Sequence, residues 1–211
     1  MAKIVVTGGA GFIGSHITDA LVERGDDVIV LDNLTSGKKD NVNPKAKLCE
    51  ADIRDYKSIL PIFDGAKYVF HLAALPRVPI SIEDPVGTHE VNINGTLNVL
   101  MAAREAKVKR LVYSASSSAY GDQDVFPTEE IFLPMPLSPY GLQKYVGEHY
   151  SRLFSLLYGL ETVSLRYFNV YGPRASAEGA YALVIAKFLK QKMEGKPLSI
   201  VPDGNQSRAY S

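Results

Sequence analysis

"VVTGGAGFIGSHI", residues 5–17, decides how this chain folds. A β-branched run ends in glycines at 8, 9, 11 and 14, and a helix-like stretch follows at once. Read from Gly9, the glycines satisfy G-x-G-x-x-G. Read from Gly8, they satisfy G-x-x-G-x-x-G, and the sequence leaves both spacings open. The chemistry is common to the two. Small residues let the backbone turn tightly, bring its N–H groups to a pyrophosphate and aim a helix N-terminus at that anion. The turn is therefore read as a dinucleotide site in which Gly8, Gly11, Phe12, Ile13 and Gly14 bind the cofactor. The plainer reading is a glycine-rich connection without a ligand.

The end of the second strand supplies an independent test, because such a site needs a group for the adenosine ribose about 20 residues beyond the glycines. Asp32 stands there, in "DVIVLDN" (27–33). A carboxylate accepts from both ribose hydroxyls and repels a 2′-phosphate, which favours NAD over NADP. Lys38 and Lys39 lie close enough in sequence to keep the phosphorylated cofactor open. Asn33 beside Asp32, and Asp52-Ile53 at the end of the third strand, are expected to complete the adenosine end.

Working outward, short apolar runs at 3–7, 27–32, 46–52, 67–73, 109–115 and 161–168 alternate with helix-like stretches near 12–24, 55–63, 88–106 and 138–158. That alternation predicts right-handed βαβ units, hence an α/β fold of the Rossmann type: a doubly wound parallel sheet. The strands read as near-continuous apolar runs, as they must when helices cover both faces. After residue 172 the pattern changes to a loop, a helix over "ALVIAKFLKQKMEG" (182–195), and "KPLSIVPDGNQSRAYS" (196–211), read as a strand and a turn. We expect a cofactor domain over 1–171 and the beginning of a substrate-binding lobe over 172–211.

Lys plus Arg and Asp plus Glu both number 23, so no global basic field argues for nucleic acid. The single cysteine, Cys49, excludes an internal disulfide and suits a reducing compartment. Glycines interrupt the N-terminal apolar run before it reaches signal-peptide length, and no stretch approaches the roughly 20 apolar residues of a membrane span. A cytoplasmic protein without membrane contact is the expectation. His16, His71, His89 and His149 show no metal-ligand spacing.

"SPYGLQKYVGEHY" (138–150) sets Tyr140 and Lys144 one helical turn apart. Alone this is weak, since the spacing arises by chance in most chains. The set gives it weight: "TGGAGFIG", "LDNL", "ADIRD", "HLAA", "NINGTLNVL", "SASSSAYGD", "SPYGLQK" and "RYFNVYGPR" occur in this order. In them the chain resembles the extended short-chain dehydrogenase/reductase family, and within it the nucleotide-sugar 4-epimerases that act on UDP-galactose, UDP-glucose and UDP-N-acetylglucosamine.

The resemblance implies a catalytic set of Ser116, Tyr140 and Lys144, with Tyr140 and Lys144 also touching NAD. The register of the serine run is open by one position. It further implies that Leu72, Ala73 and Ala74 of "HLAA" lie against the cofactor, that Ser117, Ser118, Asn169 and Arg208 contact the UDP-sugar, and that Asn92 shapes the site from behind. Arg77 and Arg174 could approach a diphosphate. An unperturbed tyrosine has a pKa near 10. The Lys144 ammonium and a bound nicotinamide would both favour the phenolate and bring that value toward neutral pH. Family dehydratases carry an Asp-Glu pair just before the loop tyrosine, and sugar-acid decarboxylases a glutamate. Here that place reads Ser118-Ala119, so oxidation and re-reduction at C4 through a transient 4-keto sugar is the implied reaction. Another nucleotide-sugar oxidoreductase or dehydratase, or an NAD-binding piece without activity, are the alternatives.

Along the Tyr140 helix, Val146, Tyr150, Leu153, Phe154 and Leu157 form an apolar stripe expected to pack on the sheet, with Tyr140, Lys144, Glu148, Ser151 and Ser155 on a polar one. By resemblance the helices near 88–106 and 138–158 build a homodimer. The relatives run on for roughly a hundred residues beyond Ser211, the size of an added small lobe. Their "GDGxQxRDF" pattern reads "PDGNQSRAY" here, and "GAYA" (179–182) leans toward N-acetylated sugars.

Overall fold

Valine and isoleucine fill the first two strands because each is buried on both sides. The structure, a computed structural model, describes residues 1–123, 125, 127–177, 184–200, 204 and 210. The chain divides into two compact units, Met1–Arg166 and Tyr167–Ser211.

In the first unit, β1 (Lys3–Thr7), β2 (Asp27–Asp32), β3 (Lys47–Glu50), β4 (Tyr68–His71), β5 (Arg110–Ser116) and β6 (Glu161–Tyr167) form one sheet in the order β3-β2-β1-β4-β5-β6. β1 pairs in parallel with β2 and β4, β2 with β3, and β4 with β5, with Val5 opposite both Ile29 and Val69. Strand order reverses between β1 and β4, the place where open sheets of this kind leave a crevice at their carboxyl ends. Side chains alternate across the sheet. Ile4, Val6 and Val28 pack with Leu21 of α1 (Phe12–Glu23) on one face. Val5, Leu31, Val69 and Leu111 pack with Ile59, Phe63, Val99 and Leu100 on the other. The expected α/β architecture is the one observed.

Local differences have local causes. The stretch near 55–63 is a single α-turn, α2 (Tyr56–Ile59), continued as a 3-10 turn that accommodates Pro61. A short helix not anticipated from sequence, α3 (Val78–Glu83), follows β4. The helix near 88–106 is three pieces: α4 (Pro85–His89), a π-helical turn over Glu90–Gly95, and α5 (Thr96–Glu105).

The largest correction concerns α6 (Pro139–Tyr158). Its buried residues are Gly141, Gln143, Lys144, Gly147, Ser151 and Phe154. Leu153 and Leu157, expected on the sheet, are 45% and 67% exposed. The helix meets β5 through its small and polar side because a Cβ on Gly147 would lie 2.2 Å from the Tyr113 hydroxyl oxygen. A larger residue cannot occupy position 147, although Phe154, two turns on, is buried in the core as expected.

In the second unit, α7 spans Val184–Met193, inside the helix expected at 182–195. Of the stretch 196–211 expected to hold a strand and a turn, the described residues 196–200 form no strand. The Ser199 N–H donates to Gln191 Oε1 at 3.2 Å instead of to a neighbouring strand. Asn169 and Tyr210 form an isolated parallel bridge.

Candidate active site

The glycine turn is crowded in a way that only glycine tolerates. Gly8 has φ of 72°, and a Cβ there would lie 2.7 Å from the Ala73 nitrogen. A Cβ on Gly14 would lie 2.2 Å from the Gly8 carbonyl oxygen, so α1 starts hard against the turn. The Gly11 N–H closes the turn on that same carbonyl at 3.1 Å. The backbone therefore uses the Gly8, Gly11, Gly14 spacing, while Gly9 packs on Val30. Gly11 is the N-cap of α1 and no side chain caps the helix, which leaves the first-turn N–H groups around Phe12 and Ile13 open to an anion.

Asp32 is buried at the end of β2, where Oδ2 accepts the Ala10 N–H at 3.0 Å and Oδ1 the Leu34 N–H at 2.9 Å. Each oxygen keeps a lone pair for a further donor. Asn33 Nδ2 donates to Asp52 Oδ2 at 3.0 Å, and Arg54 pairs with the same carboxylate at 2.8 Å. The Arg54 bonds hold the Asp52 pKa down at about 2. Ile53 buries its side chain against Gly95, so only its backbone is available to a ligand.

Behind the "HLAA" loop runs a continuous polar chain. Thr7 Oγ1 accepts the N–H groups of Leu72 and Ala73, each at 3.2 Å, and donates to His71 Nδ1 at 2.7 Å. Thr96 Oγ1 donates to the Asn92 carbonyl at 2.7 Å, so it accepts from His71 Nε2 at 3.0 Å, which puts the ring proton on Nε2. Burial first, and Lys144 second, push the His71 pKa down to about 3 and keep the ring neutral. Asn92 reads both backbone groups of Leu75, at 2.8 and 3.0 Å, and Gln143 orients its amide at 2.8 Å. The loop carrying Leu72, Ala73 and Ala74 is thus fixed from below. Sequence reasoning named Asn92 but missed Thr7, His71, Thr96 and Gln143. The signal for Gln143 was a polar residue one position before Lys144 on a buried helix face.

At the carboxyl end of β5, Ser116 is the serine whose side chain acts on the Tyr140 phenol, favouring its ionised form. Its Oγ also accepts the Ser118 N–H at 3.1 Å, opening the 3-10 turn Ser117–Ala119. Burial pushes the Tyr140 phenol up, and the Ser116 bond pulls it back. Lys144 is buried, donates to the Ser114 carbonyl at 2.8 Å and lies 5.1 Å from the centre of the Tyr113 ring. Burial lowers its pKa to about 8. In the chain by itself the phenol is thus raised and not lowered as expected, because the ammonium is committed to a carbonyl and desolvation dominates. Asn169 lies in the second unit, as does Arg174; Arg208 and the "GAYA" stretch lie outside the described residues.

Two sets of groups now stand at the carboxyl edge of one sheet. One is a glycine cradle with an uncapped helix and a buried carboxylate. The other is a serine, a tyrosine and a buried lysine. Comparison with known proteins gives these sets a context. A model described as "NAD dependent epimerase/dehydratase family" matches residues 4–211. A putative UDP-glucose 4-epimerase of Methanocaldococcus jannaschii is 46% identical over 209 residues, covering 98% of this chain and 68% of that protein. Among solved structures, UDP-glucose 4-epimerase of Thermotoga maritima with UDP-glucose superposes with a TM-score of 0.95 at 44% identity, covering 99% of this chain and 68% of that one. UDP-N-acetylglucosamine 4-epimerase of Methanobrevibacter ruminantium, in complex with UDP-N-acetylmuramic acid, gives 0.95 at 40% identity, with 100% and 68% covered.

Proposed function

Because the chain belongs to the NAD dependent epimerase/dehydratase family, we propose that it is the NAD-binding and catalytic part of a UDP-sugar 4-epimerase acting through a transient 4-keto sugar. Residues 1–171 form the cofactor domain in this reading, and 172–211 begin the substrate lobe. The convergence of Ser116, whose side chain acts on the Tyr140 phenol, with the buried Lys144 one helical turn from Tyr140 carries it.

The residues present fit the cofactor. The α1 N-terminus and the backbone of Gly8, Gly11, Phe12, Ile13 and Gly14 would hold the pyrophosphate. Asp32, with Asn33, would hold the adenosine ribose, Asp52 and the Ile53 backbone the adenine, and Leu72, Ala73 and Ala74 the underside. Bound there, NAD supplies reversible two-electron oxidation at a carbinol carbon. Tyr140 takes the proton of the sugar 4-hydroxyl and returns it, with Ser116 holding the same oxygen. Lys144 contributes positive charge beneath the phenol. Its lowered pKa lets it redistribute a proton near neutral pH. Ser117, Ser118 and Asn169 are read as contacts to the sugar or diphosphate, and Arg208 as a contact near the uracil or diphosphate. Ser118 and Ala119 offer no carboxylate for eliminating water, which favours epimerisation over dehydration.

Incubating the 211-residue chain with stoichiometric NAD and either UDP-glucose or UDP-N-acetylglucosamine, followed by NMR, tests the reading. Growth of one 4-epimer, lost in Tyr140→Phe, is expected. A stable keto sugar would overturn it in favour of a dehydratase. The chain spans 68% of the relatives' length, and an inert mixture in which NAD still binds would favour a cofactor unit that needs the remaining lobe.

We also propose a homodimer through α4, α5 and α6. A groove between α4, the π-helical turn before α5, and α6 is lined by Pro85, His89, Ile93, Leu142, Val146 and Tyr150, and further along α6 Leu156 and Leu157 are more than two-thirds exposed. Light scattering should report a dimer that Val146→Asp converts to monomer; an unchanged mass in the variant would refute this interface.

A further inference from the structure

Ser81 lies on α3, in a segment that none of the catalytic motifs covers, and it is fully buried. Its Oγ accepts the backbone N–H of Tyr140 at 3.0 Å, from 59 residues away in sequence. Its own proton goes to the Val78 carbonyl at 2.7 Å. Helix α6 otherwise caps itself. Ser138 Oγ takes the Gly141 N–H at 3.1 Å, the Ser138 carbonyl takes the Leu142 N–H at 3.0 Å, and Pro139 has none to offer. The N–H of Tyr140 is thus the one first-turn donor met by another element.

That element is tied to the "HLAA" loop. Arg77, just before α3, has φ of 101°, a conformation that side chains rarely adopt, and its carbonyl accepts the Ser81 N–H at 3.3 Å. Tyr140 is therefore held at its backbone by Ser81, while Ser116 acts on its phenol.

Resting on the reading of Tyr140 as the proton-transfer group, we infer that Ser81 is a positioning residue: it sets the phenol in register with Ser116 and passes the conformation of the loop after β4 to it. A loop that moves on ligand binding would then shift the tyrosine with it, through one hydroxyl.

The test uses the full 211-residue chain labelled with [13Cζ]tyrosine, with the Tyr140 signal assigned by its loss in Tyr140→Phe. Ser81→Ala is expected to displace that signal and move the onset of phenol titration by about half a pH unit. Ser138→Ala removes the helix's own cap at a comparable cost, about 1 kcal/mol, and is expected to leave the Tyr140 signal in place. An unmoved signal in Ser81→Ala, or an equal displacement in Ser138→Ala, overturns the inference. Ser81→Cys, whose thiol accepts weakly, should fall between wild type and alanine. If the alanine variant does not fold, the cysteine variant carries the test, and a wild-type signal there refutes it. Sugar turnover that survives Tyr140→Phe would sink the proton-transfer reading separately, since the Ser81 result is read on the resonance alone.

Discussion

Gly147→Ala adds a single methyl group where α6 crosses β5. The new Cβ would lie 2.2 Å from the Tyr113 hydroxyl oxygen, 2.5 Å from Cζ and 2.9 Å from Cε1. An ordinary carbon contact needs about 3.5 Å, so the pair must separate by more than 1 Å. Tyr113 is fully buried and cannot swing aside. The helix must back away, taking Lys144 and Tyr140 with it. Overpacking of this kind costs about 1–3 kcal/mol, offset by about 1 kcal/mol from replacing a helical glycine by alanine. We expect a net loss of up to about 2 kcal/mol in urea unfolding. NAD affinity should fall as well, because the nicotinamide end loses its register while the glycine turn is untouched. Gly159→Ala is the control: that residue sits just beyond the helix at φ of 70° with nothing within 4 Å of its Cβ, so it carries only the left-handed strain, about 1 kcal/mol. Should Gly147→Ala come out as stable as wild type with unchanged NAD binding, the close approach does not position the site.

Asp32→Ala leaves the Ala10 and Leu34 N–H groups unmet, and NAD affinity measured by calorimetry should drop about 10- to 100-fold; an unchanged affinity would remove Asp32 from the ribose role. The folded pKa of His71, about 3, lies below its unfolded value of 6.5. Its contribution is complete above pH 6.5 and is lost as pH falls toward 3. Stability should therefore decline between pH 6.5 and 4.5 with a slope approaching about 1.4 kcal/mol per pH unit, and His71→Gln should flatten it. Lys144, at about 8 against 10.5, acts with the same sign in a higher window, with stability rising as pH goes from 8 to 10.5. Lys144→Met should stabilise the chain at pH 7 by about 1–3 kcal/mol while abolishing turnover; a destabilised variant would mean that its bond to Ser114 outweighs desolvation. Thr18 Oγ1 is buried and makes no hydrogen bond among the described residues. Thr18→Val should therefore raise the unfolding midpoint, by about 1 kcal/mol of stability, and a lowered midpoint would show that the hydroxyl has a partner after all.

What the sequence made legible was whatever short-range rules govern. Strand, glycines and helix at residues 3–23 belong to one βα turn, and the alternation of runs carried the sheet. The α6 face was misassigned because apolar periodicity assumes that the larger side chains face the core. Here Tyr113, 34 residues before Gly147 in sequence, fills that space and demands a small partner. Ser81 and Gln143 were invisible for a related reason, since each matters through a bond to a residue more than 50 positions away. Asn92 was reached only by resemblance. Its bonds to Leu75 supply the physical reason that periodicity lacked.

Asp32 serves two masters. The carboxylate assigned to the ribose is also the hinge pin of two backbone segments, at Ala10 and Leu34, and a Cβ on nearby Gly37 would sit 2.9 Å from its Oδ1. Converting such a site to a phosphorylated dinucleotide would ordinarily begin by exchanging the acid for a small neutral residue. In this protein that exchange also unpins the pyrophosphate turn, and Gly37 leaves no room for a bulkier substitute nearby. Cofactor re-engineering here is a loop-grafting problem over residues 33–41, with the acid replaced last.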